Sequence, residues 1–212
     1  MLYSELQCSD AIHKAVERMG FAEMTEIQEK TIPVMMAGYD VIAKAPTGTG
    51  KTCAFGIPVA EHILPENKYP QAVIMAPTRE LAQQIAQELE ELTYFMPEVQ
   101  VACVYGGANM EKQAKRLAEG CQIVVATPGR LMDHYKHHSI DISHVTQIVL
   151  DEADEMLNMG FYKDVRHIIE MMKARKSLSM FSATISREVM DIGWLYQHNA
   201  EEITVQPKEE SQ

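Results

Sequence analysis

The stretch Ala45-Pro46-Thr47-Gly48-Thr49-Gly50-Lys51-Thr52 constrains this chain more than any other, because it follows an apolar run, Asp40 to Ala43, and leads into a helical stretch. Gly48 and Gly50 permit backbone angles that turn successive N–H groups inward, and a helix beginning there adds the positive end of its dipole. Such a concavity suits phosphate oxygens. Lys51 is placed to reach the outer phosphates of a bound nucleotide, and Thr52 to offer its hydroxyl to Mg²⁺. Position 45 holds Ala where the strict form of this turn has Gly.

A turn of this kind sits between a strand and a helix, and the rest of the chain continues that alternation. Apolar runs of strand length occupy Asp40 to Ala43, Ala72 to Ala76, Gln100 to Val104, Gln122 to Ala126, Thr146 to Leu150, Leu178 to Phe181 and Glu202 to Val205. Helical periodicity marks Glu80 to Phe95, Ala108 to Glu119 and Arg166 to Lys173. Seven strands alternating with helices predict an α/β fold, a doubly wound and mostly parallel sheet with helices on both faces. With 46% hydrophobic residues, 212 residues can supply one continuous core. Met35, Met36, Met171 and Met172 fall at helical core spacing and read as packing. No apolar run approaches the roughly 18 residues of a membrane span. Residues 1–10 lack the layout of a signal peptide, so a cytoplasmic protein is expected. Cys8, Cys53, Cys103 and Cys121 form no CxxC pair and read as reduced thiols, three of them in the core.

A net charge of -11 argues against a broadly basic face, so any contact with nucleic acid has to be local. A phosphate turn that hydrolyses a nucleotide also needs a carboxylate at the end of a neighbouring buried strand. The run Gln147 to Leu150 ends in Asp151-Glu152-Ala153-Asp154. Asp151 is the candidate Mg²⁺ ligand opposite Thr52, and Glu152 the candidate base for the attacking water. The cluster Asp133-His134-Tyr135-Lys136-His137-His138 mimics metal-ligand spacing, but it reads as a polar helix end without a second ligand group.

Asp151 to Asp154 spells D-E-A-D downstream of A-P-T-G-T-G-K-T, and the chain resembles the amino-terminal, RecA-like half of DEAD-box RNA helicases over nearly its whole length. Further motifs of that family follow in order. Gly20-Phe21-Ala22-Glu23-Met24-Thr25-Glu26-Ile27-Gln28 resembles the Q motif, Pro77-Thr78-Arg79-Glu80-Leu81-Ala82 motif Ia, and Gly106-Gly107 the GG motif. Thr127-Pro128-Gly129-Arg130 resembles motif Ib and Ser182-Ala183-Thr184 motif III. Met24 and Glu26 stand where the family often carries prolines.

The resemblance implies a three-layer P-loop NTPase domain over residues 1–206 that binds ATP and Mg²⁺ and grips single-stranded or locally unwound RNA. Residues 45–52 would cradle the phosphates. Gln28 would read the adenine edge with its amide while Phe21 and Tyr3 form the adenine pocket. Pro77, Thr78, Arg79, Gly107, Thr127, Gly129 and Arg130 would hold phosphates and 2′-hydroxyls of one RNA strand. Ser182 and Thr184 would hydrogen-bond Asp154 and couple hydrolysis to RNA. Nothing in the chain resembles motifs IV to VI, so the resemblance implies a second RecA-like domain missing from these residues, with 207–212 as the start of a linker. A non-catalytic ATP- and RNA-binding module is the alternative. A GTPase or small kinase is disfavoured, since Asn67-Lys68 is followed by Tyr69-Pro70 and no N-K-x-D string results.

Overall fold

The computed structural model describes residues 1–48 and 50–206. Thr49 and the expected linker start at 207–212 lie outside the described residues. After a short helical lead-in, α1 (Asp10–Arg18) and α2 (Glu26–Met36) precede β1 (Val41–Lys44), α3 (Lys51–Glu61), β2 (Ala72–Met75) and α4 (Arg79–Leu92). Then come β3 (Val101–Val104), α5 (Met110–Ala118), β4 (Ile123–Ala126), α6 (Pro128–Lys136) and β5 (Gln147–Asp151). The short α7 (Ala153–Met156) leads into α8 (Tyr162–Met171), β6 (Ser177–Ser182), α9 (Arg187–Tyr196) and β7 (Glu201–Thr204). All seven predicted strands form, each within a residue or two of its expected bounds.

They make one sheet in the order β3-β4-β2-β5-β6-β1-β7, parallel at every pairing. Because crossovers carry helices over both faces, the central strands are covered twice, and β2, β4 and β5 are buried at every residue. Alternate side chains go to opposite layers. Ile74 joins Phe55, Ile85, Leu89 and Phe181 on one face, while Val73 and Met75 join Leu131, Ile148, Ile168 and Met180 on the other. Phe55 and Phe181 meet at 5.3 Å and 58°, bridging α3 and β6. Each such fully buried ring contributes on the order of 1.5–3 kcal/mol.

Helix starts follow local capping chemistry. Thr25, Thr78, Asn109 and Ser186 each accept a hydrogen bond from a first-turn N–H of the helix they open. At the amino edge of the sheet, buried Asp40 takes the N–H groups of Leu178 and His198, both at 3.0 Å, and so ties the entries of β1, β6 and β7 together. Met35 and Met172 are buried, whereas Met36 and Met171 are only half-buried. Cys53 and Cys121 are buried and Cys8 and Cys103 half-buried, all four as free thiols. No described helix is long and apolar enough to cross a membrane.

Candidate functional site

Parallel pairing sends the carboxyl ends of all strands to one edge, so the loops after β1, β2, β3, β4, β5 and β6 share it. The strand β6 runs between β1 and β5, which sets the phosphate turn and the acidic strand end on either side of Ser182. The Ala45 N–H is held by the Ser182 carbonyl at 3.0 Å. Beyond it Pro46, Thr47 and Gly48 stand exposed. Gly50 has φ 94° and begins α3, in a left-handed conformation that costs an L-residue about 1–2 kcal/mol. A Cβ there would lie 2.8 Å from Thr25 Oγ1 and 3.0 Å from Gln28 Nε2. Both backbone and space demand glycine.

Lys51 follows, only 6% exposed, with its Nζ 2.9 Å from Asp151 Oδ1 and 3.8 Å from Glu152 Oε1. Asp151 closes β5 at 1% exposure and also accepts the Glu152 N–H at 3.0 Å. Burial pushes the Asp151 carboxyl up, and the Lys51 ammonium is the main force pulling it back. Glu152 has φ 49° and ψ 52°, a left-handed backbone in a non-glycine residue. Its carboxyl is pushed up to about 7, first by burial and then by a hydrogen bond with Glu155, against the pull of Lys51. A carboxylate with that pKa can take a proton from water near neutral pH and release it again. Thr52, the next residue of α3, is buried as well. Among the described residues no three His, Cys, Asp or Glu side chains converge as a metal cage. One buried carboxylate and one hydroxyl instead suit a hard cation that keeps several waters and shares phosphate oxygens, which is the habit of Mg²⁺.

The structure brings Tyr3, Phe21 and Gln28 together at the head of α3. Gln28 is 3% exposed, and its amide is already engaged. Its Oε1 accepts the Thr25 N–H at 3.0 Å and the Tyr3 hydroxyl, while its Nε2 donates to the Gly50 carbonyl at 3.1 Å. The oxygen is therefore saturated, and one amide N–H remains for a ligand. Tyr3 is buried, and Phe21 is half-exposed with its ring 6.4 Å from that of Tyr3 and 23° from parallel.

Asp154 Oδ2 accepts both the backbone N–H of Thr184 at 3.1 Å and its hydroxyl at 2.7 Å. Ser182 reaches Asp154 as expected, through the main chain: its Oγ accepts the backbone N–H of Asp154 at 3.0 Å and donates to the Thr184 carbonyl at 2.7 Å. Burial works to raise the Asp154 carboxyl, but the Thr184 and Ser182 groups outweigh it and hold it low.

Of the residues expected along a nucleic-acid strand, Pro77 is buried, Thr78 caps α4 through Leu81 N–H at 3.2 Å, and Arg79 is exposed. The Arg79 guanidinium lies 4.7 Å from the Tyr105 ring centre. Gly107 is exposed with φ 83°, and a Cβ on it would stand 3.5 Å from Arg79 Nη1. Thr127 opens α6 with its hydroxyl unused as a cap, so Pro128 and Gly129 leave a helix start facing this edge. Arg130 points inward instead. Its Nη1 donates to the Ala108 carbonyl at 2.9 Å and Gln113 Oε1 at 3.1 Å, and its Nε lies 3.8 Å from Asp133 Oδ2. It clamps the loop after β3 to α6.

Two participants, Glu88 and Glu155, carry no signal in the sequence, and a third, Thr25, shows there only as the first residue of a T-x-x-Q capping pattern. Glu88 of α4 faces Thr52, which lowers a carboxyl that burial raises. Glu155 sets Glu152 through a hydrogen bond. Thr25 holds both ends of Gln28. His134, expected at a polar helix end, is fully buried between Ser139 Oγ at 2.7 Å and Gln113 Oε1 at 3.1 Å.

Residues 25–192 match the family described as DEAD/DEAH box helicase. The chain is 46% identical over 209 residues to the ATP-dependent RNA helicase CshA of Limosilactobacillus reuteri, covering 99% of this chain and 42% of that protein. It is 41% identical to the DEAD-box ATP-dependent RNA helicase CshA of Bacillus subtilis, covering 98% and 42%. Among solved structures, a DEAD box protein from Methanococcus jannaschii superposes with a TM-score of 0.90 at 39% identity, over 97% of this chain and 56% of that one. A hypothetical ATP-dependent RNA helicase from Sulfolobus tokodaii gives 0.86 at 39% identity, over 93% and 57%. The chain thus spans about two fifths of the length of these curated relatives.

Proposed function

The chain belongs to the DEAD/DEAH box helicase family, and from that premise we propose that residues 1–206 form the ATP-binding, RecA-like half of an RNA-dependent ATPase that separates short RNA duplexes. The observation that carries this reading is the 2.9 Å pair of Lys51 and Asp151 between the ends of strands that flank β6. It holds the charges of the cleft in balance. A triphosphate competes for Lys51, and the aspartate it leaves becomes free to take a cation together with Thr52. Mg²⁺, when bound, neutralises charge that builds on the phosphate oxygens.

In this reading the backbone N–H groups at the start of α3 and Lys51 orient the phosphates, and Glu152 aligns the attacking water and accepts its proton. Its position near pH 7 suits that task. Gln28 and Phe21 favour adenine. For the Gln28 amide to donate and accept at once, the Tyr3 hydroxyl must leave Oε1, so base binding exchanges one hydrogen bond for another. Thr78, Arg79, Gly107, Thr127 and Gly129 offer donors to the RNA backbone, and Pro77 sets the turn that presents them. Arg130 acts through the clamp it makes rather than by direct contact. The Asp154–Thr184 bond links the nucleotide strand end to β6 and α9, the path by which hydrolysis and RNA binding inform each other.

Hydrolysis at a useful rate requires a second RecA-like domain whose arginines stabilise the transferring phosphate. An RNA substrate is the reason to place the protein in the cytoplasm. The test compares RNA-stimulated ATP turnover by this chain and by a version extended through a second RecA-like domain, each with and without Glu152→Gln. The expected result is stimulation only in the extended form and its loss in the variant. Robust unwinding by the 212 residues alone, or turnover indifferent to Glu152, would reject the reading.

A further inference from the structure

The amino edge of the sheet, opposite the phosphate turn, carries its own cleft, which takes no part in holding the nucleotide. A strand of four or five residues separates the two edges by about 15 Å. The cleft measures about 450 Å³ and is lined by loops that enter the strands, a volume within the range that holds a nucleoside-sized ligand. Tyr69 and His144 stack there with ring centres 4.0 Å apart and 24° from parallel. Tyr39, which precedes β1, lines the same wall at 61% exposure. Tyr39 and His144 are exposed and Tyr69 is half-buried, so aromatic surface stays open to solvent along this cleft.

A second, smaller cavity of about 180 Å³ adjoins the first and shares Lys176 and Ser177 with it. Lys173, Arg175 and Lys176 surround it. In a chain of net charge -11, three cations within four residues are a local exception. Lys173 and Lys176 are exposed, and among the described residues neither has a carboxylate within salt-bridge reach. Arg175 is fixed by the Ile169 and Met172 carbonyls at 3.1 and 3.4 Å. The acidic groups nearby are Asp40, whose oxygens are taken by backbone N–H groups, Glu170, which accepts from the Tyr196 hydroxyl and lies 3.6 Å from Arg166, Glu201, whose N–H meets the Asp40 carbonyl, and Asp141, which lies 4.0 Å from His144 on the far rim. Among the described residues none of these carboxylates pairs with Lys173 or Lys176, whose charges are left for a ligand.

Aromatic faces beside unpaired cations form the pattern that holds single-stranded nucleic acid, with bases on the rings and phosphates on the lysines. An acidic peptide would use the lysines and leave the aromatic cleft without a purpose. We propose that this amino-edge cleft is a second contact for single-stranded RNA, taking a base against Tyr39 and the Tyr69–His144 stack and its phosphates on Lys173 and Lys176. It rests on the reading of the protein as one that works on RNA, and it adds a contact remote from the strand gripped at the carboxyl edge.

The test uses the 212-residue chain with a uridine-rich RNA of about 20 nucleotides carrying 4-thiouridine, and maps photocrosslinks by peptide. Crosslinks at Tyr39 or Tyr69 are expected. Lys173→Glu with Lys176→Glu should abolish them and lower the slope of log affinity against log salt by about 1.4, which is about 0.7 for each phosphate that loses its lysine. Binding of a fluorescent ATP analogue should stay unchanged in that variant, which shows that it folds. Tyr39→Ala, at an exposed site, should weaken RNA binding about fivefold, the loss expected for one stacked base. Crosslinks confined to the loops at Thr78 and Arg79 would overturn the proposal and leave the carboxyl-edge reading intact. Crosslinks at Tyr69 with none at those loops would do the reverse. RNA binding indifferent to the double variant, together with loss of binding to a glutamate-rich peptide, would assign the cleft to a protein partner and overturn it.

Discussion

Lys51 Nζ lies 2.9 Å from Asp151 Oδ1, although a hundred residues separate the two in the chain and neither is appreciably exposed. A buried pair of this kind is strongly asymmetric toward mutation, because removing one partner strands the other charge. Lys51→Ala should abolish nucleotide binding and destabilise the domain by up to about 3–5 kcal/mol, read by urea unfolding. The deficit should shrink as pH falls. Without lysine the buried Asp151 carboxyl rises further above its unfolded value, so the folded variant gains a proton that the unfolded chain holds less tightly. A deficit that stays constant as pH falls from neutral toward the ordinary carboxylate range would show that the pair is not buried as described.

Glu152 carries a pKa pushed up to about 7. In the two-domain form, kcat for ATP should therefore rise with pH through that value, since only the ionised carboxyl accepts a proton. Glu152→Gln should remove this limb and lower turnover by about 10²–10⁴-fold with nucleotide affinity retained. Glu155→Gln removes one of the groups that raise Glu152, so the limb should move to lower pH. A limb that stays in place in Glu155→Gln would assign the titration to another group.

The two described glycines of the phosphate turn should respond unequally to alanine. At Gly50 the added Cβ meets Thr25 Oγ1 at 2.8 Å in a left-handed backbone, while at Gly48 nothing lies within 4 Å. Gly50→Ala should cost about 1–3 kcal/mol of stability and shift Gln28. Gly48→Ala should leave the melting temperature within a degree or two. Equal melting temperatures for the two variants would contradict this.

Arg79 and Arg130 should also separate. Arg130→Ala leaves the Ala108 carbonyl without its donor and should lower stability by about 1–3 kcal/mol, with weaker RNA binding as a consequence of a loosened loop. Arg79→Ala, at an exposed site stacked only on Tyr105, should leave stability within about 0.5 kcal/mol and weaken RNA binding alone. Thermal melts and fluorescence anisotropy on the same samples would show the split, and a stability loss for Arg79→Ala as large as that for Arg130→Ala would count against it.

The sheet was legible because strand-length apolar runs and the helices between them dictate parallel pairing, and parallel pairing sends every following loop to one edge. That logic is enough to bring Lys51 to Asp151 from sequence. Side-chain commitments within that edge were less legible. Gln28 looks free in the sequence, yet Tyr3, Thr25 and Gly50 occupy its amide. Arg130 looks like a phosphate ligand, yet it faces the loop after β3. Glu88 sits mid-helix among other acidic residues and declares nothing until α4 packs against α3. Each depends on how two loops or helices approach in space, to within an ångström, and no local pattern encodes that. His134 sits in the last turn of α6 as its polar helix end implies, but its burial could not be read from its polar neighbours, because Ser139 and Gln113 satisfy its ring indoors.

The bond from Gln28 Nε2 to the Gly50 carbonyl has a thermodynamic implication. It fastens the side chain proposed to read the base to the turn proposed to hold the phosphates, so the two halves of the proposed nucleotide seat are mechanically linked. Affinities measured separately for adenosine and for tripolyphosphate should then fail to sum to that of ATP, because whichever fragment arrives first already orders the seat of the other.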